Sequence, residues 1–488
     1  EAELQLFLQK NSPNYEKELS QHVNVGAAWT QLNFPFVMTR DRKAGEAALC
    51  LGAGFNRQTL EVADVRLLRF GEGVRKRDLP ITPASYPGME EDAPWRAAAE
   101  ARIEAHRKGD LQVRVEDADG QPLPGVEVTV TMQRHAFQFA SIISVQRLLS
   151  DDADGQQYRE KVKELFNASG TENALKWPPW DGAWGDAWSR EKTLKALAWL
   201  QQNGLYIRGH VMVWPSWEHL PKAIQTLKDT DPQAVPEAVL AHIRDIAGAT
   251  AGLVDEWDVL NEPRTNHDLM DAFGRDIMVD WFTCARRELP GRDLYINDFG
   301  ILTGQGPGTP VHETYKDTIR FLLDKGAPVN GIGLQSHIGS TLRDPAQVYR
   351  TLDDFAAFGL KLKITEFDID IDDEVAQAKY TRDFMTIVFS HPAVAGFQMW
   401  GFWEGSHWKP NGAMFRRNWE AKPNAEAYKD LVFNHWWTRA RESTDATGTV
   451  TVRGFLGDYR IEASRAGKTV AATSTLSNDG TGVTLVLK

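Results

Sequence analysis

The sequence predicts an α/β protein: a (β/α)8 (TIM) barrel with accessory all-β domains, jelly-roll-like and Ig-like. Three observations predict it. Short strand-like runs recur eight times within residues 134–439, at start-to-start intervals of 31 to 50 residues. Helix-like stretches fill the intervals between them. The flanking segments alternate apolar and polar residues with period two, the mark of half-buried strands. A chain of 488 residues has room for about three domains. The alternative for the centre is an open doubly wound sheet, but no Gly-rich phosphate fingerprint follows the first run.

Residues 1–72 read as an all-β domain. Leu4, Leu6 and Leu8 alternate with polar neighbours, and Trp29–Met38, Glu46–Leu51 and Thr59–Phe70 read as further strands. Residues 73–108 read as linker and helix. Pro, Gly and charge dominate 73–94, and the helix Ala93–Lys108 has Pro94 near its start and Gly109 past its end. Leu111–Val115 and Val126–Met132 flank the turn signal Asp119-Gly120 and read as a strand pair. Gly448–Arg453, Asp458–Ala463, Lys468–Leu476 and Thr481–Lys488 close the chain as strands. Neither β-rich piece is large enough to stand alone. Residues 109–133 and 440–488 are therefore expected to form one discontinuous Ig-like sandwich around a barrel inserted at 134–439. The barrel strands are predicted at His135–Ile142, Ser169–Trp177, Tyr206–Trp214, Glu256–Pro263, Asp293–Gly300, Gly331–Ile338, Leu362–Ile369 and Val394–Phe402. Helices are predicted at Arg190–Gln202, Ala238–Ala249, Leu269–Glu288 and Val375–Phe389.

Composition narrows the function. With 55 basic and 67 acidic residues the net charge is −12, and no Lys/Arg block is present, which argues against nucleic acid and anionic membrane surfaces. No apolar run reaches the roughly 18 residues of a membrane span. The chain starts at Glu1 without a signal-like segment and reads as trimmed or mature. Cys50 and Cys284 fall in different predicted domains and are not expected to bond. The twelve His are scattered without ligand spacing, so no metal and no cofactor are expected. Nothing implies an oligomer. Trp is the unusual count: 17 in all, 15 of them between Trp177 and Trp437. Flat aromatic faces lining a cleft would account for that density, as would ordinary core packing.

Chemistry in such a barrel sits at the C-terminal ends of the strands. One polar residue ending a strand is usually structural. Here seven of the eight strands end in residues with polar groups, six of them ionisable or amide: Glu172, Asn173 and Lys176; His210; Asn261 and Glu262; Asn297 and Asp298; Gln335 and His337; Glu366 and Asp368; strand 8 ends in Trp400. Packing alone would require a buried partner for each. Glu262 and Glu366 end strands 4 and 7, three strands apart around the barrel, so they can face each other across a sugar. Glycoside cleavage needs two carboxyls, one protonated acid and one nucleophile or base. The alternative for either Glu is a strand-end salt bridge to Lys or Arg.

The motifs resemble glycoside hydrolase family 10, the endo-β-1,4-xylanases. The segments that carry the resemblance are Thr171-Glu-Asn-Ala-Leu-Lys-Trp, Arg208-Gly-His, Trp257-Asp-Val-Leu-Asn-Glu-Pro, Leu294-Tyr-Ile-Asn-Asp, Gly331-Ile-Gly-Leu-Gln-Ser-His, Ile364-Thr-Glu-Phe-Asp-Ile and Met399-Trp-Gly. They stand in the family's order over about 135–437. The resemblance implies Glu262 as general acid/base and Glu366 as nucleophile of a retaining double displacement on xylan. It implies that His337, oriented by Asp368, hydrogen-bonds the nucleophile. Asn261 and His210 would hold the sugar at the cleavage point, and Glu172, Asn173 and Lys176 the next sugar on the non-reducing side. Gln335 would line the site, and Trp214, Trp400 and Trp408 would wall it. The resemblance also implies a secreted or periplasmic location. A retaining pair predicts carboxyls about 5–5.5 Å apart. The charge of Glu366 is expected to raise the pKa of Glu262.

Two runs depart from the family pattern. Trp214-Pro215-Ser216-Trp217 replaces Trp-His-Ser-Gln, and Asn297-Asp298-Phe299-Gly300 replaces Asn-Asp-Tyr-Asn. The first loses a His and a Gln near the cleavage site. The second loses a phenol and an amide on the leaving-group side. Trp177, Trp180, Trp184 and Trp188 are expected to flank the non-reducing end of the cleft, as a capping loop or as a packed surface loop. Residues 1–72 also resemble the second half of a jelly-roll carbohydrate-binding module, through Trp29-Thr-Gln-Leu-Asn-Phe-Pro-Phe and Gln58-Thr-Leu-Glu-Val-Ala-Asp-Val. On that reading the chain begins mid-domain, and Trp29 is a core residue.

Overall fold

The computed structural model describes residues 2–11, 17–54, 57–71, 73–304 and 306–488. Its centre is a closed barrel of eight parallel strands: Gln138–Ile143, Ala168–Thr171, Tyr206–Val213, Glu256–Asn261, Asp293–Asp298, Gly331–Leu334, Lys361–Ile369 and Val394–Met399. Closure is direct. Strand 8 pairs with strand 1, Gly396 opposite Gln138, and strand 6 pairs with strand 7, Gly331 opposite Lys361. Every residue of strand 4 is buried, as expected for a parallel strand covered on both faces.

Several predicted strands run past their observed ends. Strand 2 stops at Thr171; residues 172–176 turn, and Trp177–Trp180 form a short helix. Strand 4 stops at Asn261 because Glu262 takes a left-handed φ of 53°. The predicted helix Leu269–Glu288 is two helices, Asp268–Phe273 and Ile277–Glu288. Gly274 between them has φ 86°, which a helix cannot contain. Helix Arg190–Gln202 has the predicted bounds, with Ser189 as its N-cap.

Strand pairing joins the two β-rich pieces on either side of the barrel. Lys108–Glu116 lies between Thr449–Phe455 and Thr481–Val486 in one sheet. Glu127–His135 lies between Arg439–Ser443 and Gly457–Arg465 in another, with Lys468–Leu476 at the edge. Leu111, Val113 and Val115 of the first sheet and Val128, Val130 and Met132 of the second are buried. Lys108–Glu116 and Glu127–His135 are therefore not the strand pair that the Asp119-Gly120 signal suggests. The turn is present, but it carries the chain from one sheet to the other.

The N-terminal region holds one antiparallel sheet, Lys17–Val25, Ala2–Lys10 and Ala47–Gly52 in that order. Trp29–Met38 and Thr59–Phe70 form no strands. No described strand lies beside them to take their backbone hydrogen bonds, and alternation without a partner makes no sheet. Trp29 is 71% exposed, not a core residue. Helix Pro94–His106 ends before the predicted Lys108, because that residue already begins a strand. Arg96 clamps the buried Asp383 of the barrel with two hydrogen bonds of 2.6 Å, and Tyr86 adds a third of 2.8 Å. Cys50 and Cys284 are both free. No helix among the described residues is long and apolar enough to cross a membrane.

Candidate active site

Glu366 and Asp368 are two residues apart in strand 7, so both side chains leave the same face of the strand. His337, in a short extension of strand 6 paired opposite Asp368, bridges them. Its Nε2 lies 3.1 Å from Glu366 Oε2 and its Nδ1 3.0 Å from Asp368 Oδ2. Burial acts to lower the pKa of His337, but hydrogen bonds to both carboxylates outweigh it and lift it to about 10. The ring is therefore an imidazolium at neutral pH and donates from both nitrogens. Trp408 Nε1 also donates to Asp368 Oδ2, at 2.7 Å, and its ring centre lies 4.8 Å from that of His337.

Two amides link the two carboxyls. Gln335 Nε2 donates to Glu262 Oε1 at 3.0 Å and to Asn261 Oδ1 at 3.3 Å. Asn297 Nδ2 donates to the same Asn261 oxygen at 2.9 Å and to Glu366 Oε1 at 2.8 Å. Thr365 Oγ1 donates to Asn297 Oδ1 at 2.7 Å and fixes which way that amide faces. Gly333 leaves the space Asn297 occupies: a Cβ there would stand 2.3 Å from Asn297 Oδ1.

Glu262 sits at the turn after strand 4, and its backbone N–H donates to Asn297 O at 2.7 Å. A left-handed φ in a residue other than glycine costs on the order of 1–2 kcal/mol and is found most often where a site demands it. The turn aims the carboxyl into the cleft, where Asn266 Nδ2 donates to Oε2 at 3.1 Å. Burial raises the pKa of Glu262, and the charge of Glu366 raises it further. Burial is the larger cause, which corrects the expectation that Glu366 supplies the shift. Asn261 Nδ2 makes no hydrogen bond of standard geometry with a described residue, though the amide lies near enough to lower the Glu262 pKa.

The remaining predicted residues surround this pair. His210 Nδ1 lies 2.9 Å from Asp258 Oδ2, and its ring meets Trp400 edge-on at 5.2 Å. Asp258 belongs to a buried network with Arg208, Glu256 and Lys363, in which Arg208 pairs with both acids and Lys363 with Glu256. Lys176 Nζ donates to Asn173 Oδ1 at 2.7 Å and lies 5.1 Å from the Trp214 ring centre. Burial lowers the Lys176 pKa and raises that of Glu172, while the opposite charge of each resists the shift. Trp400 is buried, whereas Trp408 is 49% exposed.

The sequence reading gave no role to Asn266, Thr365 or Asp258, and named Asn297 only as a strand end. Asn266 stands four residues after Glu262, the one sequence signal that could have marked it. The reading named Asp298, too, only as a strand end; burial pushes that carboxyl up to about 7 despite the opposing charge of Arg264. The Arg264 guanidinium lies 4.6 Å over the Phe299 ring and 3.7 Å from where a Gly300 side chain would begin. Phe299 and Gly300 are the two positions at which this chain departs from Asn-Asp-Tyr-Asn. At the other departure, Trp214 stacks on His219 with ring centres 3.7 Å apart. Trp177 and Trp180 do not flank the cleft as expected. Trp177 stacks on His242 and Trp180 bonds Asp245, so helix Val235–Ala249 buries both. Trp184 and Trp188 remain nearer the surface, edge to face at 5.2 Å.

The model of glycosyl hydrolase family 10 matches residues 129–431. An anti-sigma-I factor of Acetivibrio thermocellus is 29% identical over 81% of this chain and 49% of its own length. Endo-1,4-beta-xylanase 1 of Arabidopsis thaliana is 29% identical over 73% of this chain and 36% of its own. The chain thus spans half or less of these two relatives. Among solved structures, native xylanase 10B of Thermotoga maritima is 25% identical, with a TM-score of 0.54 over 62% of this chain and 96% of that one. The family match covers well over half of the chain and contains both facing carboxyls: the chain belongs to glycosyl hydrolase family 10.

Proposed function

We propose that the protein is an endo-β-1,4-xylanase that cleaves internal bonds of xylan with retention of anomeric configuration. The observation that carries the reading is the unlike setting of the two carboxyls. Glu262 is buried with its pKa raised, which suits a proton donor. Glu366 accepts hydrogen bonds from Asn297 and the His337 imidazolium, which suits an anionic nucleophile. In the first step Glu366 attacks the anomeric carbon while Glu262 protonates the departing oxygen. In the second, Glu262 takes a proton from water, which displaces Glu366 from the glycosyl ester. Once the ester forms, the charge of Glu366 is gone and the Glu262 pKa falls, which fits its change from acid to base. Asn261 and His210 hold the sugar at the cleavage point; Glu172, Asn173 and Lys176 hold its neighbour; Trp214, Trp400 and Trp408 wall the groove.

Release of reducing sugar from xylan by the wild-type protein, lost in Glu366→Ala, is the expected outcome. A second reading, a polysaccharide-binding protein with weak turnover, draws on the changed run Trp214–Trp217 and on the relative named as an anti-sigma factor. Binding of xylan without sugar release would favour it. A polymeric substrate fits work outside the cytoplasm, which fractionation of the source cells tests. The N-terminal sheet is read as a sugar-binding accessory only through its resemblance to part of a carbohydrate-binding module.

A further inference from the structure

The turn after strand 4 holds a cation with no part in the double displacement. Arg264 stands two residues after Glu262, in the turn closed by Asn266 N–H donating to Glu262 O at 3.0 Å. Its side chain is only 14% exposed. A guanidinium carries five N–H donors, and a largely buried one normally spends them on partners. Here Nη2 donates to Phe299 O at 3.2 Å, while Nε is buried with no partner among the described residues. The acid beside it is Asp298, whose Oδ1 lies 3.6 Å from Nη2, beyond hydrogen-bond distance. Both Asp298 oxygens already accept from backbone N–H groups, Phe299 at 2.8 Å and Arg264 at 3.3 Å. Burial pushes the Asp298 carboxyl up to about 7, so near neutral pH its negative charge is partial. The Arg264 charge is therefore incompletely neutralised.

Its place is the side on which the leaving group departs. In the closed ring strand 2 is opposite strand 6. A chain held at Glu172–Lys176, after strand 2, and passing between the ends of strands 4 and 7 leaves over strands 5 and 6. Arg264 reaches from the end of strand 4 to Phe299 and Gly300, which directly follow strand 5, on the flank of that path. Phe299 gives the guanidinium an aromatic face at 4.6 Å, and Gly300 sets no side chain over it. Against the family pattern, these two positions lack a phenol and an amide, neutral groups suited to a sugar hydroxyl. The group that stands beside them is a planar cation, which pairs with a carboxylate through two parallel hydrogen bonds. A neutral hydroxyl offsets little of the cost of burying that charge, and a carboxylate offsets far more.

We propose that Arg264 is a specificity residue that binds the carboxylate of a uronic-acid side group carried by a xylose on the leaving-group side. The proposal rests on the xylan reading above. Two matched xylo-oligosaccharides test it, one bearing a glucuronic acid side group and the other the same side group with its carboxyl reduced to the alcohol. In the wild type, kcat/KM for the cleavage that leaves the decorated xylose on the departing product should be about tenfold higher for the acid, the scale of one hydrogen bond to a charged group. Arg264→Met should bring that ratio to about one. Gly300→Asn, at a left-handed φ of 75° that Asn tolerates, sets an amide beside the guanidinium and should lower the ratio too. Thermal melts report that each variant is folded, and calorimetry with both oligosaccharides repeats the comparison in a variant too slow to assay. Equal kcat/KM values for the two substrates in the wild type, or a ratio unmoved by Arg264→Met, overturn the proposal. Products that carry the side group on the non-reducing fragment, with the ratio still lost in Arg264→Met, overturn its assignment to the leaving-group side. A wild type that releases no sugar from either substrate, yet binds the acid more tightly through Arg264, overturns the enzymatic reading and supports the carboxylate site.

Discussion

Glu262 and Glu366 are the same residue type placed in two environments, and the difference can be tested by substitution. Glu262→Gln keeps the shape and removes the proton. Activity on xylan should fall about 10²–10⁴-fold, the usual range for a general acid. An aryl xyloside with a good leaving group needs little protonation and should lose far less in its first step; equal losses would contradict the acid role. Gln335 and Asn266 both donate to Glu262, and the Gln335 bond lowers its pKa. Gln335→Ala should therefore move the alkaline limb of the pH–rate profile for kcat/KM upward. His337 gives a linkage prediction. Its folded pKa of about 10 lies above the ordinary 6.5, so the charged form is favoured by the fold. That stabilisation is complete below about pH 6.5 and is lost as pH rises toward 10. Thermal melts should show wild type losing its advantage over His337→Gln across that window.

At the scale of elements, the strand ends position the site and a buried charge network supports them. Gly333→Ala in strand 6 drives a Cβ against Asn297 Oδ1. The displaced amide loosens its hold on Glu366, and displacements near 1 Å can cost about 10²-fold in rate. Steady-state kinetics should show the loss mainly in kcat. Lys363→Met leaves Glu256 one partner short at full burial. Breaking a buried pair costs about 3–5 kcal/mol, readable as a lower denaturation midpoint. The barrel elements were legible from their motifs because parallel strands buried on both faces read as continuous apolar runs ending in polar groups. Their ends were not. Glu262 and Gly274 break strand and helix through positive φ, and only Gly274 is a residue type that announces it. Both catalytic candidates were visible in their motifs. Asn266 and Thr365 were not, because their importance lies in which amide or carboxyl they face, and that exists only after folding.

For the whole molecule, the chain is tied together by contacts between segments hundreds of residues apart. Asp383, in a barrel helix, accepts from Arg96 and Tyr86 of the linker region. Asp383→Ala would leave the partly exposed Arg96 and the buried Tyr86 hydroxyl without this partner and should destabilise by about 1–3 kcal/mol. Limited proteolysis should then cut between residues 73 and 108 before it attacks the barrel. Pairing between residues 108–135 and 439–486 was anticipated from alternation and from the weakness of lone hairpins. Which strand joins which sheet was not, since alternation records burial and not partner. The N-terminal region misled most: Trp29–Met38 and Thr59–Phe70 have the composition of strands without a neighbour to pair with. The crowding of Trp was only partly a statement about the groove. Trp214, Trp400 and Trp408 stand at the site, while Trp177 and Trp180 pack against an outer helix.

The central claim is that Glu366 attacks the sugar and Glu262 serves it as acid and then base. Incubation with a 2-fluoro xylobioside bearing a good leaving group slows the second step and traps the ester. Peptide mass spectrometry should then find the label on Glu366, and proton NMR of early xylan products should show retained β configuration. A label on any other residue, or an α product formed first, would contradict it.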